Sequence, residues 1–429
     1  MQKYIPIALL LILTALLVGA GCSDRGTNVP DTPTEYAVDR WQISPLLNHA
    51  FSPPSADTTY SPQLLMQIRN ENDIQEIAAY IPQIAMPAPL GEAKKVPLLV
   101  LLPPQDGDKY FYFDHGLLQI AQELTEEGLI QPMVIACLGN DRVFGGYFFG
   151  NSYPAGFYDD IIADTSEYGL VAYLNSRTSA TIDSPSKRGI GGIGMGAYGA
   201  FRAVLKHPGT YTSVAVGDGP LDFDGGFNGN QGLIDLFDDA LAEQGLGPGN
   251  FKSFDSSSVW PISRLFIGGA LAFSPNDTAC TYNIQFGIRR IVTILTRDQI
   301  PDSTTLIEDV VKTDMNDWDF HLPFDGSGAV YEGPYNIWDR WMANDLESLL
   351  GDAGAGALDN VNMWIGTSPQ AKWGYHEMTE SWVRTLQNNS YQPEVYRYNG
   401  YDGKPATDNQ YVYDLIKQML IFHSNNFGD

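Results

Sequence analysis

Between Arg188 and Asp222 the sequence reads RGIGGIGMGAYGAFRAVLKHPGTYTSVAVGDGPLD, a pattern that few backbones can accommodate. A short apolar run enters a cluster of glycines, and a helical pattern with small residues at Gly196, Gly199 and Ala200 leaves it, ending near His207-Pro208. A second apolar run, Ser213 to Val216, follows. This order predicts a strand, a sharp turn at Gly194, a helix over 195–206 and a second strand, with small residues where the turn is strained and its neighbours pack closely. Upstream, apolar runs at 64–68, 77–81, 96–102 and 133–138 are joined by helical patterns at 117–127 and 158–175. Such alternation predicts an α/β sheet covered on both faces, its first strands forming an antiparallel edge.

Glycines in this arrangement also serve in phosphate-binding loops, but a dinucleotide fingerprint opens the first strand-helix-strand unit, and this one follows several strands. No Lys-Ser or Lys-Thr pair follows the glycines, which excludes a Walker loop. No cofactor is expected. Twenty-five basic against 51 acidic side chains leave a formal net charge of −26, which argues against nucleic acid or an anionic membrane face as a partner. Three cysteines make no disulfide framework; Cys137 and Cys280 are either one bridge or two buried thiols.

The elbow segment resembles that of the putative esterase, or esterase D, family of α/β-hydrolases, which reads G-x-S-M-G-G-Y-G-A and runs into a helix ending K-H-P. VPLLVLLPP at 96–104, GLIQPMVI from Gly128 and GNSYPAGFY from Gly150 carry the same resemblance, which spans roughly 60–220 and 355–425. It implies an α/β-hydrolase fold and carboxylic-ester hydrolysis by a serine, a histidine and an acid. At the serine position this chain has Gly194, which has no oxygen to attack a carbonyl. The family's acid follows the strand matching 361–365 in a G-x-x-D context; here Gly366 is followed by Thr367, Ser368, Pro369 and Gln370. Tyr401 stands at the family's histidine position. An acid from an earlier strand, Asp218 or Asp222, is the substitute on offer, and His321 and His376 are the histidines able to enter the cleft. The oxyanion hole implied by the fold falls to the backbone N–H of Met195 and, after Pro103 and Pro104, of Gln105.

The first 21 residues carry Lys3, an apolar stretch from Ile5 to Val18, and Gly19-Ala20-Gly21 before Cys22. This resembles a bacterial lipoprotein signal, departing from it at Gly19, where leucine is usual; it implies lipidation at Cys22 and a protein held outside the cytoplasm. Ser23 after the cysteine favours the outer membrane. Residues 22–36 read as a polar tether, and 37–429 as the hydrolase-like domain, with 222–358 inserted as a cap. Trp260, Trp318, Trp338 and Trp341 lie in that cap, either as its core or as stacking surfaces for sugar or phenolic rings. Asp222 and Asp224 with Asn228 and Asn230, and Asp314, Asp317, Asp319 and His321, are oxygen-rich, but the first set is no EF-hand and no zinc signature is present. The expected function is therefore that of a degenerate esterase-family lipoprotein that binds, or scaffolds around, a small-molecule or carbohydrate-linked ester or carboxylate. The alternative is an active hydrolase with a displaced nucleophile.

Overall fold

In the computed structural model seven strands share one sheet: β1 (Ile77–Tyr80), β2 (Leu98–Leu102), β3 (Val134–Leu138), β4 (Arg188–Gly192), β5 (Ser213–Val216), β6 (Asn362–Thr367) and β7 (Glu394–Arg397). The structure describes residues 77–82, 84, 94–139, 148–152, 156–163, 170–171, 174, 181, 184–225, 229, 232–247, 260–274, 278–285, 288–296, 337–398 and 408–428, all within the compact unit Tyr36–Asp429. The strand order is β1-β3-β2-β4-β5-β6-β7. Every pair is parallel except β1 with β3, where Ile77 faces Leu138. The antiparallel edge thus appears at β1, paired across β3 and not with β2.

β2 has no polar residue and is buried along its whole length, as a central parallel strand covered on both faces must be. Its period-two alternation sends Leu98, Val100 and Leu102 into one core and Leu99 and Leu101 into the other. On the second face lie α1 (Leu117–Glu126) and, from the chain's far end, a long helix over 408–426. α1 buries Leu117, Ile120, Ala121 and Leu124, the 3.6-residue stripe that its sequence predicts. On the first face runs α2 (Met195–Lys206), buried all round from Met195 to Leu205 because the sheet packs on one side and later elements on the other. Between β5 and β6 come α3 (Leu233–Glu243), α4 (Pro261–Phe273), a hairpin of Thr278–Gln285 with Ile288–Thr296, a short helix Ile337–Met342, and α5 (Leu346–Ala353). α6 (Tyr375–Asn388) joins β6 to β7, and α7 (Asp408–Asn426) ends the sequence.

The segment between β5 and β6 meets α2 through aromatic packing. Tyr198 stacks on Phe223 with ring centroids 5.3 Å apart, Phe148 meets Tyr198 edge-on at 5.3 Å, and Phe273 meets Trp341 edge-on at 5.3 Å. Trp341 is fully buried and donates from Nε1 to Ser274 Oγ at 2.9 Å, so it is core and not a stacking platform. Trp260 is 47% exposed; Trp318 lies outside the described residues. Cys137 is a free, buried thiol in β3.

On the second face α7 drives His423 against β4 and β5. Its Nδ1 bonds Ser213 Oγ at 2.8 Å while Nε2 is buried without a partner among the described residues. Burial pushes this imidazole down to about 3, from an unfolded value near 6.5. A histidine buried neutral contributes stability above its unfolded pKa and loses it as pH falls from about 6.5 toward about 3, by up to ~1.4 kcal/mol per pH unit. Urea unfolding at about pH 6.5 and about pH 4 should therefore show the stability gap between wild type and His423→Gln narrowing on the acid side by on the order of 3 kcal/mol. A gap independent of pH would refute this.

Candidate functional site

Gly194 sits between the end of β4 and the first residue of α2, with φ 60° and ψ −126°. That region is strained for any residue with a Cβ. Its N–H donates to the Asp218 carbonyl at 2.6 Å and its carbonyl accepts from Ala197 N at 3.0 Å. A Cβ placed on Gly194 would meet Pro104 Cβ at 3.1 Å and Tyr375 Cε2 at 3.8 Å, so carbon atoms are its nearest neighbours. Two residues on, a Cβ on Gly196 would lie 2.0 Å from the Leu102 carbonyl oxygen. Only glycine lets α2 start this close to the end of β2, and that contact fixes the register of the turn.

Met195 is fully buried, and its sulfur accepts the Phe148 N–H at 3.2 Å. The loop after β2 is tied to α4 by side chains. Gln105 donates from Nε2 to the Pro261 carbonyl, and Asp106 pairs with Arg264 at 2.7 Å. Gln105 Oε1 and the Tyr375 hydroxyl are buried without partners among the described residues, one beside Pro104 and one on the ring that faces Gly194.

The carboxylate that reaches this region comes from β5. Asp218, two residues beyond the strand, accepts from Thr367 Oγ1 at 2.5 Å on Oδ1, and from Ser368 N at 2.8 Å and the Tyr411 hydroxyl on Oδ2. Burial pushes its carboxyl up to about 7, against the hydrogen bonds from Thr367, Tyr411, Ser368 and Thr379 that favour the ionised form. Ser368, the residue near the family's acid position, thus holds another residue's carboxylate with its backbone. Its hydroxyl is spent on Gln370, donating to Oε1 at 3.0 Å and accepting from that residue's N–H at 3.2 Å. Thr367 Oγ1 also bonds His376 Nδ1 at 2.8 Å. Asp218, Thr367 and His376 therefore form one chain of hydrogen bonds beside the elbow.

Of the residues singled out by sequence, the structure gathers Gly194, Asp218, Ser368 and His376, with Gln105 and Met195 on the flanking loop and helix. Tyr401, Cys22, His321 and the cluster 314–321 lie outside the described residues. Thr367 and Tyr411 were not singled out by role, since nothing in their local sequence says which strand end they reach. Asp222 accepts the Gly225 N–H at 2.9 Å, while Asp345 caps α5, accepting Glu347 N at 3.0 Å and Phe223 N at 2.8 Å. Burial, with Asp222 nearby, pushes Asp345 up to about 7. No group of three metal-ligating side chains is present among the described residues.

A mostly parallel sheet with one antiparallel edge strand, helices on both faces, and a strand-elbow-helix with a strained residue at the turn define an α/β-hydrolase fold. Compared with known proteins, the chain matches no family model and no curated protein. Among solved structures it is similar to a ferulic acid esterase, at 14% identity over 82% of this chain and 93% of that one, with a TM-score of 0.47. It is also similar to the S-formylglutathione hydrolase of Agrobacterium tumefaciens (14% identity, 82% and 90% covered, TM-score 0.44) and to MPT51 of Mycobacterium tuberculosis (10% identity, 82% and 93% covered, TM-score 0.42).

Proposed function

We propose that the chain is an esterase-like protein that binds a small-molecule or carbohydrate-linked ester or carboxylate beside its elbow and does not cleave it. One observation carries this reading: the residue in the strained turn is Gly194, which can form no acyl-enzyme. Two buried polar atoms without partners among the described residues, Gln105 Oε1 and the Tyr375 hydroxyl, support a ligand there, since such groups are rare unless something satisfies them. The test is turnover of activated esters by the purified protein, with background rates expected. The Asp218–Thr367–His376 chain favours a second reading, hydrolysis through a nucleophile other than residue 194, which saturable turnover abolished by one cleft serine would establish.

The protein is also proposed to be lipid-anchored through Cys22 outside the cytoplasm, at the outer membrane, touching the bilayer through lipid alone. Cys22→Ala should release it from membranes or leave an uncleaved precursor. Unchanged membrane association with no lipid on Cys22 would remove the assignment.

A further inference from the structure

His376 occupies the first turn of α6, directly after the tyrosine whose ring faces Gly194. Its ring is half-buried, and Nε2 has no hydrogen-bond partner among the described residues. The other nitrogen is bound to a hydroxyl that is itself bound to a carboxylate. Thr367 Oγ1 has a single hydrogen, so the two bonds it makes cannot be set independently. When Asp218 is ionised, the hydroxyl donates to Oδ1 and must accept from His376 Nδ1–H. In neutral His376 the lone pair is then on Nε2, which is an acceptor. When Asp218 is protonated the free place for the proton is Oδ1, because Oδ2 already accepts from Ser368 N and the Tyr411 hydroxyl. Oδ1–H then donates to Thr367, Thr367 donates to Nδ1, and Nε2 carries the hydrogen.

From this geometry we propose that Asp218, Thr367 and His376 form a proton wire whose outer end, His376 Nε2, is the polar contact for the ligand. It takes a ligand hydroxyl when the wire is ionised, and a carbonyl or carboxylate oxygen once the wire has taken up one proton. The balance is one proton from solvent, with no bond to carbon made or broken. The outcome at Nε2 is the same wherever the charge settles. If the incoming proton stays on the imidazole instead of passing to Asp218, Nε2 again becomes a donor. The titratable groups facing Asp218 are Tyr411 of α7, which stays a donor because burial and the neighbouring carboxylate push it up, and His376 through Thr367. Its remaining partners, Thr367, Ser368 and Thr379, do not titrate. Burial raises the Asp218 carboxyl to about 7, which places the exchange near neutrality.

The ligand-facing half rests on the binding reading above; the wire does not. The experiment is long-range 1H–15N correlation of the 15N-histidine-labelled full chain between about pH 5 and about pH 9. The expected result is His376 with its proton on Nδ1 at high pH and a protonated Nε2 as pH falls. Asp218→Asn mimics the protonated wire. Its carbonyl must face Ser368 N and Tyr411, leaving its NH2 to donate to Thr367, so neutral His376 should hold the Nε2–H tautomer even at high pH. Thr367→Val should abolish the tautomer preference. Wild-type His376 with Nε2–H at high pH, or a folded Asp218→Asn protein with the wild-type tautomer, overturns the wire. Should the variant not fold, the wild-type titration decides alone. For the ligand, phenol should shift the Nε2 resonance saturably at high pH and acetate at low pH. No shift from either overturns the contact. Ester turnover with the tautomer exchange intact overturns the binding reading and leaves the wire standing.

Discussion

The purified protein is expected to hydrolyse p-nitrophenyl acetate no faster than a control protein with scattered surface nucleophiles. Loss of a complete triad costs a serine hydrolase about six decades in rate, leaving about three to four over water from the oxyanion hole and binding. In this chain residue 194 has no side chain, and the carboxylate reaching the site, Asp218, is held by Thr367, Ser368 N and Tyr411, with no imidazole bonded to it directly among the described residues. Gly194→Ser alone should stay at background. A serine at φ 60° and ψ −126° carries about 1–3 kcal/mol of strain. Its Cβ must also displace Pro104, 3.1 Å away, and the atoms nearest it are carbons of Pro104 and Tyr375. Gly194→Ser with Tyr401→His is the sharper trial, since the pair exceeds both single changes only if Tyr401 holds the histidine position. Turnover in the unmodified protein that vanishes on changing one serine elsewhere in the cleft would sink this expectation.

Arg202→Met should destabilise the fold by about 3–5 kcal/mol, the cost of leaving one partner of a buried ion pair uncompensated. Arg202 projects from α2 and pairs with Asp159 at 2.8 Å, the two side chains 6% and 5% exposed. The guanidinium also donates from Nε to the same carboxylate at 3.0 Å and from Nη1 to Asn344 Oδ1 at 2.8 Å, joining α2 to the short helix Tyr158–Ala163 and to the segment before α5. Replacing both partners, Arg202→Met with Asp159→Leu, should recover much of the loss, because it is the orphaned charge that is costly. Equilibrium denaturation of both variants checks this; a single change costing under about 1 kcal/mol, the worth of an exposed pair, would refute it.

The elbow was legible because its causes are local. Gly194 and Gly196 mark a turn that needs a positive φ and a helix start that needs a bare backbone, and both appear as spacing in the chain. The strands at 98–102, 134–138 and 213–216 fall where apolar runs predict them, since burial on both faces leaves Ser213 as the one polar side chain among them. The chemistry around the elbow was less legible. Asp218 could be named as a substitute acid, but its partners Thr367 and Tyr411 lie 149 and 193 positions away. Pairings of that range are set by how β6 and α7 pack, and no periodicity encodes them. The tryptophans between β5 and β6 divided for the same reason, since Trp341 becomes core because Phe266, Phe273 and Ser274 close around it.

The placement of α7 bears on the order in which this chain can fold. Ser424 near its end accepts the Gln131 N–H at 2.8 Å across 293 positions, and His423 reaches Ser213 across 210. Leu415 lies against both Gly217 and Gly366, at the ends of two central strands. Part of one face of the sheet, the part that α1 does not cover, therefore stays open until this helix has been made, while Leu99 and Leu101 of β2 and Ala215 of β5 are already present. Contacts this distant in sequence close slowly, and an unfinished sheet is the species most prone to pair with its own copies. For this molecule the hazardous interval is the synthesis of the insertion between β5 and β6, and a chaperone that shields Leu99, Leu101 and Ala215 during that interval would substitute for α7 until it arrives.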